Sequence, residues 1–132
     1  MFTNFQDLWI FSKNGLPLLD LCEEKLPNSA ILGALFSSIQ TFCNEVSGTD
    51  LQSFMMGNCK FYIKSALDGH AIFVCKTEIL IKEKKIQKLI DALIKIFEET
   101  FKPKDLINWD GDSSFFDEFR NRLELYSKMC EL

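Results

Sequence analysis

Residues 28–44 read NSAILGALFSSIQTFCN and carry no charge, although 26% of the chain is charged. Apolar residues recur in this segment at spacings of three and four, which predicts an amphipathic helix. The predicted core stripe of that helix consists of Leu32, Leu35, Phe36, Ile39, Phe42, Cys43 and Val46. We expect this stripe to pack on the protein core.

The opposite face of the predicted helix carries small or neutral side chains, where a surface helix usually carries charged ones. Gly33 lies on this face. A glycine inside a helix costs roughly 1 kcal/mol relative to alanine, so Gly33 indicates the close approach of another backbone. We therefore expect a partner protein to bind this face, which comprises Ala30, Gly33, Ser37, Gln40, Thr41 and Asn44.

Five segments have the composition of β-strands, namely residues 5–12, 16–23, 50–56, 59–66 and 70–77. Asn14-Gly15 joins the first two, and Asn-Gly is the strongest short hairpin signal because both residues tolerate positive φ. Tight turns at Gly57 and Gly69 join the last three, which predicts an antiparallel meander.

Two of these segments contain unbroken apolar runs, at residues 8–11 and 71–75. A run without alternation means that both faces of the strand are covered. We therefore expect strands one and five to lie side by side at the centre of the sheet. The resulting strand order is 2-1-5-4-3.

Two further helices are predicted, at residues 81–101 and beyond the capping residues 112–114. The element order is then ββαβββαα in a single domain of 132 residues. The fold class is α+β, with a five-stranded antiparallel sheet that has one helix on one face and two on the other.

The third strand of this arrangement lies at a sheet edge, where its backbone groups are free to pair with another chain. Its last residues are Phe54, Met55 and Met56. We expect these three residues to extend the partner-binding surface by strand pairing across a dimer.

Two stretches carry a resemblance to a known family: LWIFSKNGLPL at residues 8–18 and ILGALFSSIQTF at residues 31–42. Together they resemble the opening of a longin domain, which has a profilin-like fold. The hairpin is similar to that of the signal recognition particle receptor alpha subunit. The hairpin and helix also resemble the first longin domain of Fuzzy-type proteins and stand-alone archaeal longin proteins.

The resemblance implies a trafficking-type adaptor without catalytic activity. Such a protein binds a small GTPase, or pairs with another longin or roadblock domain as a homodimer or heterodimer. An alternative function is a small-ligand sensor, because the chain has 13 Phe residues and an aromatic core could open a pocket near Trp9, Phe36 and Phe73.

The residues do not form a catalytic, cofactor or metal motif. His70 is the only histidine and stands beside the turn residue Asp68, without a nucleophile motif nearby. Residues 108–112 resemble a calcium loop, but no glutamate follows at its twelfth position. There is no phosphate-binding glycine loop, so we expect no GTPase activity and no cofactor.

The net charge and the cysteine content indicate which partners and which cellular environment the chain is suited to. The net charge is −4, which disfavours nucleic acid as a partner. The five cysteines are widely spaced, which is typical of free thiols in a reducing cytoplasm. We interpret Lys82, Lys84, Lys85 and Lys88 as a solvated helix start. With no signal peptide or transmembrane segment, we expect membrane contact only through partners.

Overall fold

The computed structural model describes residues 7–22 and 29–131 and contains the predicted elements in the predicted order. The strands are β1 (Asp7–Ser12), β2 (Pro17–Cys22), β3 (Ser53–Met56), β4 (Cys59–Ala66) and β5 (Ala71–Glu78). The helices are α1 (Ser29–Ser47), α2 (Glu83–Thr100), the short α3 (Pro103–Ile107) and α4 (Asp117–Glu131). Residues 5, 6, 23 and 28 of the predicted elements lie outside the described residues.

The five strands form one antiparallel sheet in the order β2-β1-β5-β4-β3, which confirms the predicted topology. β1 pairs with β2 on one side and with β5 on the other. The four residues of its apolar run are at most 2% exposed. The unbroken apolar pattern therefore identified β1 as an interior strand, because both of its faces are covered.

Each face of the sheet has its own hydrophobic cluster, because successive side chains of a strand point to opposite faces. Leu8 and Ile10 of β1 pack with the apolar residues of α2 and α4. Trp9 and Phe11 pack on the other face with Phe36 of α1. This arrangement confirms one helix on one face and two on the other.

Three local features differ from the sequence-based boundaries. β3 begins at Ser53 rather than at residue 50, because the side chain of Gln40 bonds both backbone groups of Leu51. The short helix α3 begins at Pro103, which suits a first helical turn because its missing N–H is not needed there. A 3₁₀ turn, Ser113–Phe116, precedes α4.

The orientation of α1 on the sheet corrects the sequence-based prediction. Gly33 and Gln40, which we expected to face outward, are buried. Leu35, Phe42 and Val46, which we expected in the core, are 46%, 65% and 69% exposed. The other four residues of the predicted core stripe, Leu32, Phe36, Ile39 and Cys43, are buried or half-buried, so the observed buried face overlaps that stripe and extends over Gly33 and Gln40.

The contact between Gly33 and Gly15 explains this orientation. A Cβ atom placed on Gly33 would lie 2.1 Å from the backbone oxygen of Gly15 and 2.6 Å from a ring carbon of Phe11. Gly15 lies in the β1–β2 turn with φ of +88°, and a Cβ atom there would lie 2.7 Å from the backbone oxygen of Gly33. The backbone that approaches Gly33 closely is therefore that of Gly15 in the same chain, and not that of a partner.

We predict that Gly33→Ala destabilises the fold. The added methyl group must displace either the hairpin turn or the Phe11 ring, and overpacking of this kind costs about 2 to 3 kcal/mol. Urea unfolding followed by circular dichroism measures the loss. Ser38→Ala on the exposed side of α1 is the control and should change the free energy of unfolding by less than about 0.5 kcal/mol. Equal stability of the two variants would show that the two glycines do not touch.

Candidate protein-interaction site

The outward side of α1 presents large apolar side chains to solvent. Leu35, Phe42 and Val46 form what we call the exposed stripe, since their spacing of seven and four residues places them on one side of the helix. The exposed stripe is about 16 Å long at 1.5 Å per residue. Ile31, one turn before Leu35, is also 67% exposed. Exposed apolar residues in such a row make this side of α1 a candidate interaction surface.

The edge of the sheet lies beside this helix. Phe36 of α1 contacts the ring of Phe54 on β3 with centroids 5.8 Å apart. In the described part of the chain, β3 pairs with β4 alone and leaves its other edge open. Met55 and Met56 on β3 are 66% and 59% exposed. The contact between Phe36 and Phe54 therefore places α1 next to β3, and the exposed stripe is on the outer side of that helix.

Gln40 fixes the position of α1 relative to this edge. Its Nε2 donates to the Leu51 carbonyl oxygen at 2.9 Å, and its Oε1 accepts from the Leu51 N–H at 2.8 Å. The amide side chain thus replaces a strand partner for residue 51. Because Gln40 is only 8% exposed, its role is structural and it is removed from the candidate binding residues.

The remaining residues of the predicted neutral face have different positions. Ser37 Oγ donates to the Lys13 carbonyl oxygen at 2.9 Å and joins α1 to the β1–β2 turn. Asn44 is exposed and its side-chain amide donates to Asp50. Ala30 and Thr41 are exposed. These four residues lie on a different side of α1 from the exposed stripe.

The predicted residues on β3 divide between core and surface. Phe54 is half-buried and stacks on Phe61 with ring centroids 5.0 Å apart. Met55 and Met56 are the two that remain available at the surface. The sequence-based prediction placed the three residues of the exposed stripe in the core. They follow the same helical period as the apolar residues that do pack inward.

A ligand pocket shared by Trp9, Phe36 and Phe73 is not compatible with the structure. Trp9 and Phe36 belong to the cluster under α1, whereas Phe73 belongs to the cluster on the other face of the sheet. The ring of Phe36 is also in contact with three other phenylalanine rings at centroid distances of 5.8–6.2 Å. The aromatic core under α1 is therefore filled by its own side chains.

The β4–β5 connection, which contains His70, is held in place by hydrogen bonds of its main-chain groups. The His70 N–H donates to the Leu67 carbonyl oxygen at 3.1 Å, and its own carbonyl oxygen accepts from Lys13 N–H at 3.0 Å. Leu67 and Asp68 have positive φ values of 51° and 55°. The Leu67 N–H donates to Glu98 on α2 at 3.0 Å, which ties this strained turn to a helix.

The other groups considered for chemistry have local structural partners. Asp110 accepts from the Asp112 N–H, and Asp112 accepts from the Ser114 N–H, which lowers the pKa of the Asp112 carboxyl. Complete burial raises the pKa of the Cys75 thiol, which keeps it protonated. Cys43 is also a free thiol. No group of three potential metal ligands occurs within residues 7–22 and 29–131.

Comparison with known proteins gives structural relatives only. No protein-family model matches the sequence, and no curated protein matches it. A roadblock/LC7 domain from Streptomyces avermitilis is similar with a TM-score of 0.59 and 12% identity, over 70% of this chain and 81% of that chain. Myxococcus xanthus MglB is similar with a TM-score of 0.55 and 14% identity, over 72% and 85%.

A structure of MglB with a tetrameric arrangement is also similar, with a TM-score of 0.53 and 18% identity over 72% of this chain and 79% of that chain. At these identities the likeness concerns the fold. The architecture is similar to that of a roadblock/LC7 domain.

We predict that Gln40→Ala destabilises the protein by about 2 kcal/mol, because it leaves the N–H and C=O of Leu51 without their partners. Gln52→Ala, at an exposed position next to Leu51, is the matched control and should be nearly neutral. Thermal unfolding of both variants measures the difference. A neutral Gln40→Ala would mean that water replaces the amide at no cost.

Proposed function

We propose that this chain is a non-catalytic protein-interaction module that pairs with a second longin-type or roadblock-type domain. The observation that carries the proposal is the exposed stripe of α1 beside the open edge of β3. The binding surface consists of Leu35, Phe42, Val46, Met55 and Met56. Phe54 supports this surface from below, whereas Ala30, Ser37, Thr41 and Asn44 lie on a different side of α1 and are not part of it.

The physical basis of the pairing is twofold. Burying each large apolar side chain stabilises a complex by about 1.5 to 3 kcal/mol before the cost of association is subtracted. Pairing of strand edges adds directional hydrogen bonds that set the register of the two sheets. The similar MglB structure with a tetrameric arrangement supports the view that this fold assembles with further copies.

The open edge of β3 has a defined hydrogen-bonding pattern. The Ile63 N–H donates to the Gln52 carbonyl oxygen at 2.9 Å, and Gln52 lies one residue before β3. Alternation in an antiparallel ladder then directs the backbone groups of Phe54 toward β4 and those of Met55 toward the open edge. An added strand would therefore bond to Met55.

The second component of the proposal is a small GTPase as a partner, in a cytoplasmic trafficking process. It is supported by the longin resemblance of residues 8–18 and 31–42 and by the roadblock-type architecture. Pairing and GTPase binding are compatible, because the surface of each domain that faces away from the pairing interface stays accessible to a GTPase.

We predict that Phe42→Asp weakens association by about 30-fold or more, because it places a charge in the centre of the apolar contact. Leu125→Asp is the matched control, since Leu125 on α4 is 62% exposed and Phe42 is 65% exposed. Analytical ultracentrifugation measures association of the chain alone and with small GTPases in both nucleotide states. The proposal fails if the wild-type chain associates with neither itself nor a GTPase, or if both variants associate as it does.

A second prediction tests the strand edge. Met55→Pro should abolish pairing while leaving the fold intact, because it removes an N–H that faces the open edge. Phe54→Pro should instead destabilise the sheet, since that residue bonds to β4. Chemical unfolding and sedimentation velocity of both variants separate the two effects. Pairing that survives in Met55→Pro would exclude the strand-edge contact.

A further inference from the structure

The turn between β5 and α2 exposes two apolar residues. Leu80 is 91% exposed and Ile79 is 41% exposed. The turn is closed by the Ile81 N–H, which donates to the Glu78 carbonyl oxygen at 3.4 Å, and Ile81 itself packs against the core. Leu80 therefore stands at the top of an anchored turn and makes no contribution to the core.

Four lysines follow this turn at Lys82, Lys84, Lys85 and Lys88, and all four side chains are exposed. None of them forms an ion pair with another described residue. The acidic residues of the same stretch are Glu78 and Glu83, so residues 78–88 carry a net charge of +2 in a chain whose net charge is −4. We call Ile79, Leu80 and these lysines the basic tip.

The stability of α2 does not explain this charge distribution. The N-terminus of a helix carries a partial positive charge, so lysines in the first turns are unfavourable and glutamates in the last turn are unfavourable too. The first turn of α2 contains Glu83, which is favourable there, but also Lys84 and Lys85, and its last turn contains Glu98 and Glu99. Glu98 has a separate role, since it accepts a hydrogen bond from the Leu67 N–H, whereas the side chains of Lys84 and Lys85 have no hydrogen-bond or ion-pair partner among the described residues.

We propose that the basic tip docks on an anionic lipid surface. Leu80 would enter the headgroup region, while the four lysines would face the negatively charged headgroups. Charge complementarity favours lipid over a folded protein. The lysine side chains are long and have no ion-pair partner in the described chain, so they can reach the mobile anionic headgroups next to the protruding apolar turn. Two apolar residues are also too few for a stable protein interface, which buries about 1,200 Å² or more.

The basic tip and the exposed stripe of α1 lie on different parts of the fold. α2 packs on the sheet face opposite to α1, so the tip and the exposed stripe belong to different surfaces. None of the helices in the described part of the chain combines the length and apolar composition needed to cross a bilayer. The proposal is thus a peripheral contact, and it goes beyond the sequence-based expectation that partners alone bring the protein to a membrane.

Vesicle sedimentation of the full chain tests the proposal. We expect binding to phosphatidylcholine vesicles that contain about 30% phosphatidylserine and no binding to pure phosphatidylcholine. Raising the salt to about 0.5 M should release the protein, because it screens the lysine contacts. Equal binding to both vesicle types, or none to either, overturns the proposal.

Variants locate the contact. Lys84→Gln combined with Lys85→Gln should weaken vesicle binding by roughly 30-fold, given about 1 kcal/mol per lysine at an anionic surface. Leu80→Gln should weaken it by about 10-fold or more. The matched controls are Lys95→Gln combined with Lys104→Gln, and Leu125→Gln, all at exposed positions.

The controls and Phe42→Asp should bind vesicles as the wild type does, which separates this proposal from the proposed pairing. Two results would overturn the proposal. One is an equal loss of vesicle binding in the tip variants and the control variants. The other is a wild-type chain that does not bind vesicles, together with tip variants that lose a protein partner. The second result would assign the basic tip to an acidic protein surface instead.

Discussion

The backbone contact between Gly15 and Gly33 is the constraint on which the placement of α1 depends. A Cβ atom on either glycine would lie within 2.7 Å of the backbone of the other, so the hairpin turn and the helix can meet only where both side chains are missing. This contact turns Gly33 toward the hairpin and brings Gln40 to the same buried side of α1. Gln40, two turns further along, then reaches Leu51 and holds the C-terminal half of the helix. The apolar residues on the far side of α1 are left at the surface as a consequence.

The sheet could be predicted from the sequence because its signals are local. The apolar run of β1 required cover on both faces, and the Asn14-Gly15 turn specified a hairpin. The orientation of α1 could not be predicted in the same way. Apolar residues occupy a wide arc of this helix, so periodicity alone does not say which part faces inward. A contact between residues 15 and 33 decided it, and contacts of that kind are not visible in a periodic pattern.

The candidate site illustrates the same limit. Met55 and Met56 were predicted correctly as edge residues at the surface, since edge position follows from strand order. Gly33 was recognised as a point of close backbone approach, but the approaching backbone belongs to the chain's own hairpin. The exposure of Leu80 had no sequence signal, because an apolar residue in a turn resembles one at the end of a buried strand. The two proposed surfaces lie on different parts of the fold, so one domain could pair with a partner while it rests on a membrane.

Methionine oxidation in the presence and absence of association tests the central claim most directly. Met55 on the β3 edge and Met129 on α4 are 66% and 65% exposed, so they should oxidise at similar rates in the isolated chain. In the paired state, formed at high concentration, we predict that Met55 becomes protected while Met129 oxidises at an unchanged rate. Equal oxidation of the two methionines in a demonstrated complex would contradict the assignment of the α1 and β3 surface as the site of pairing.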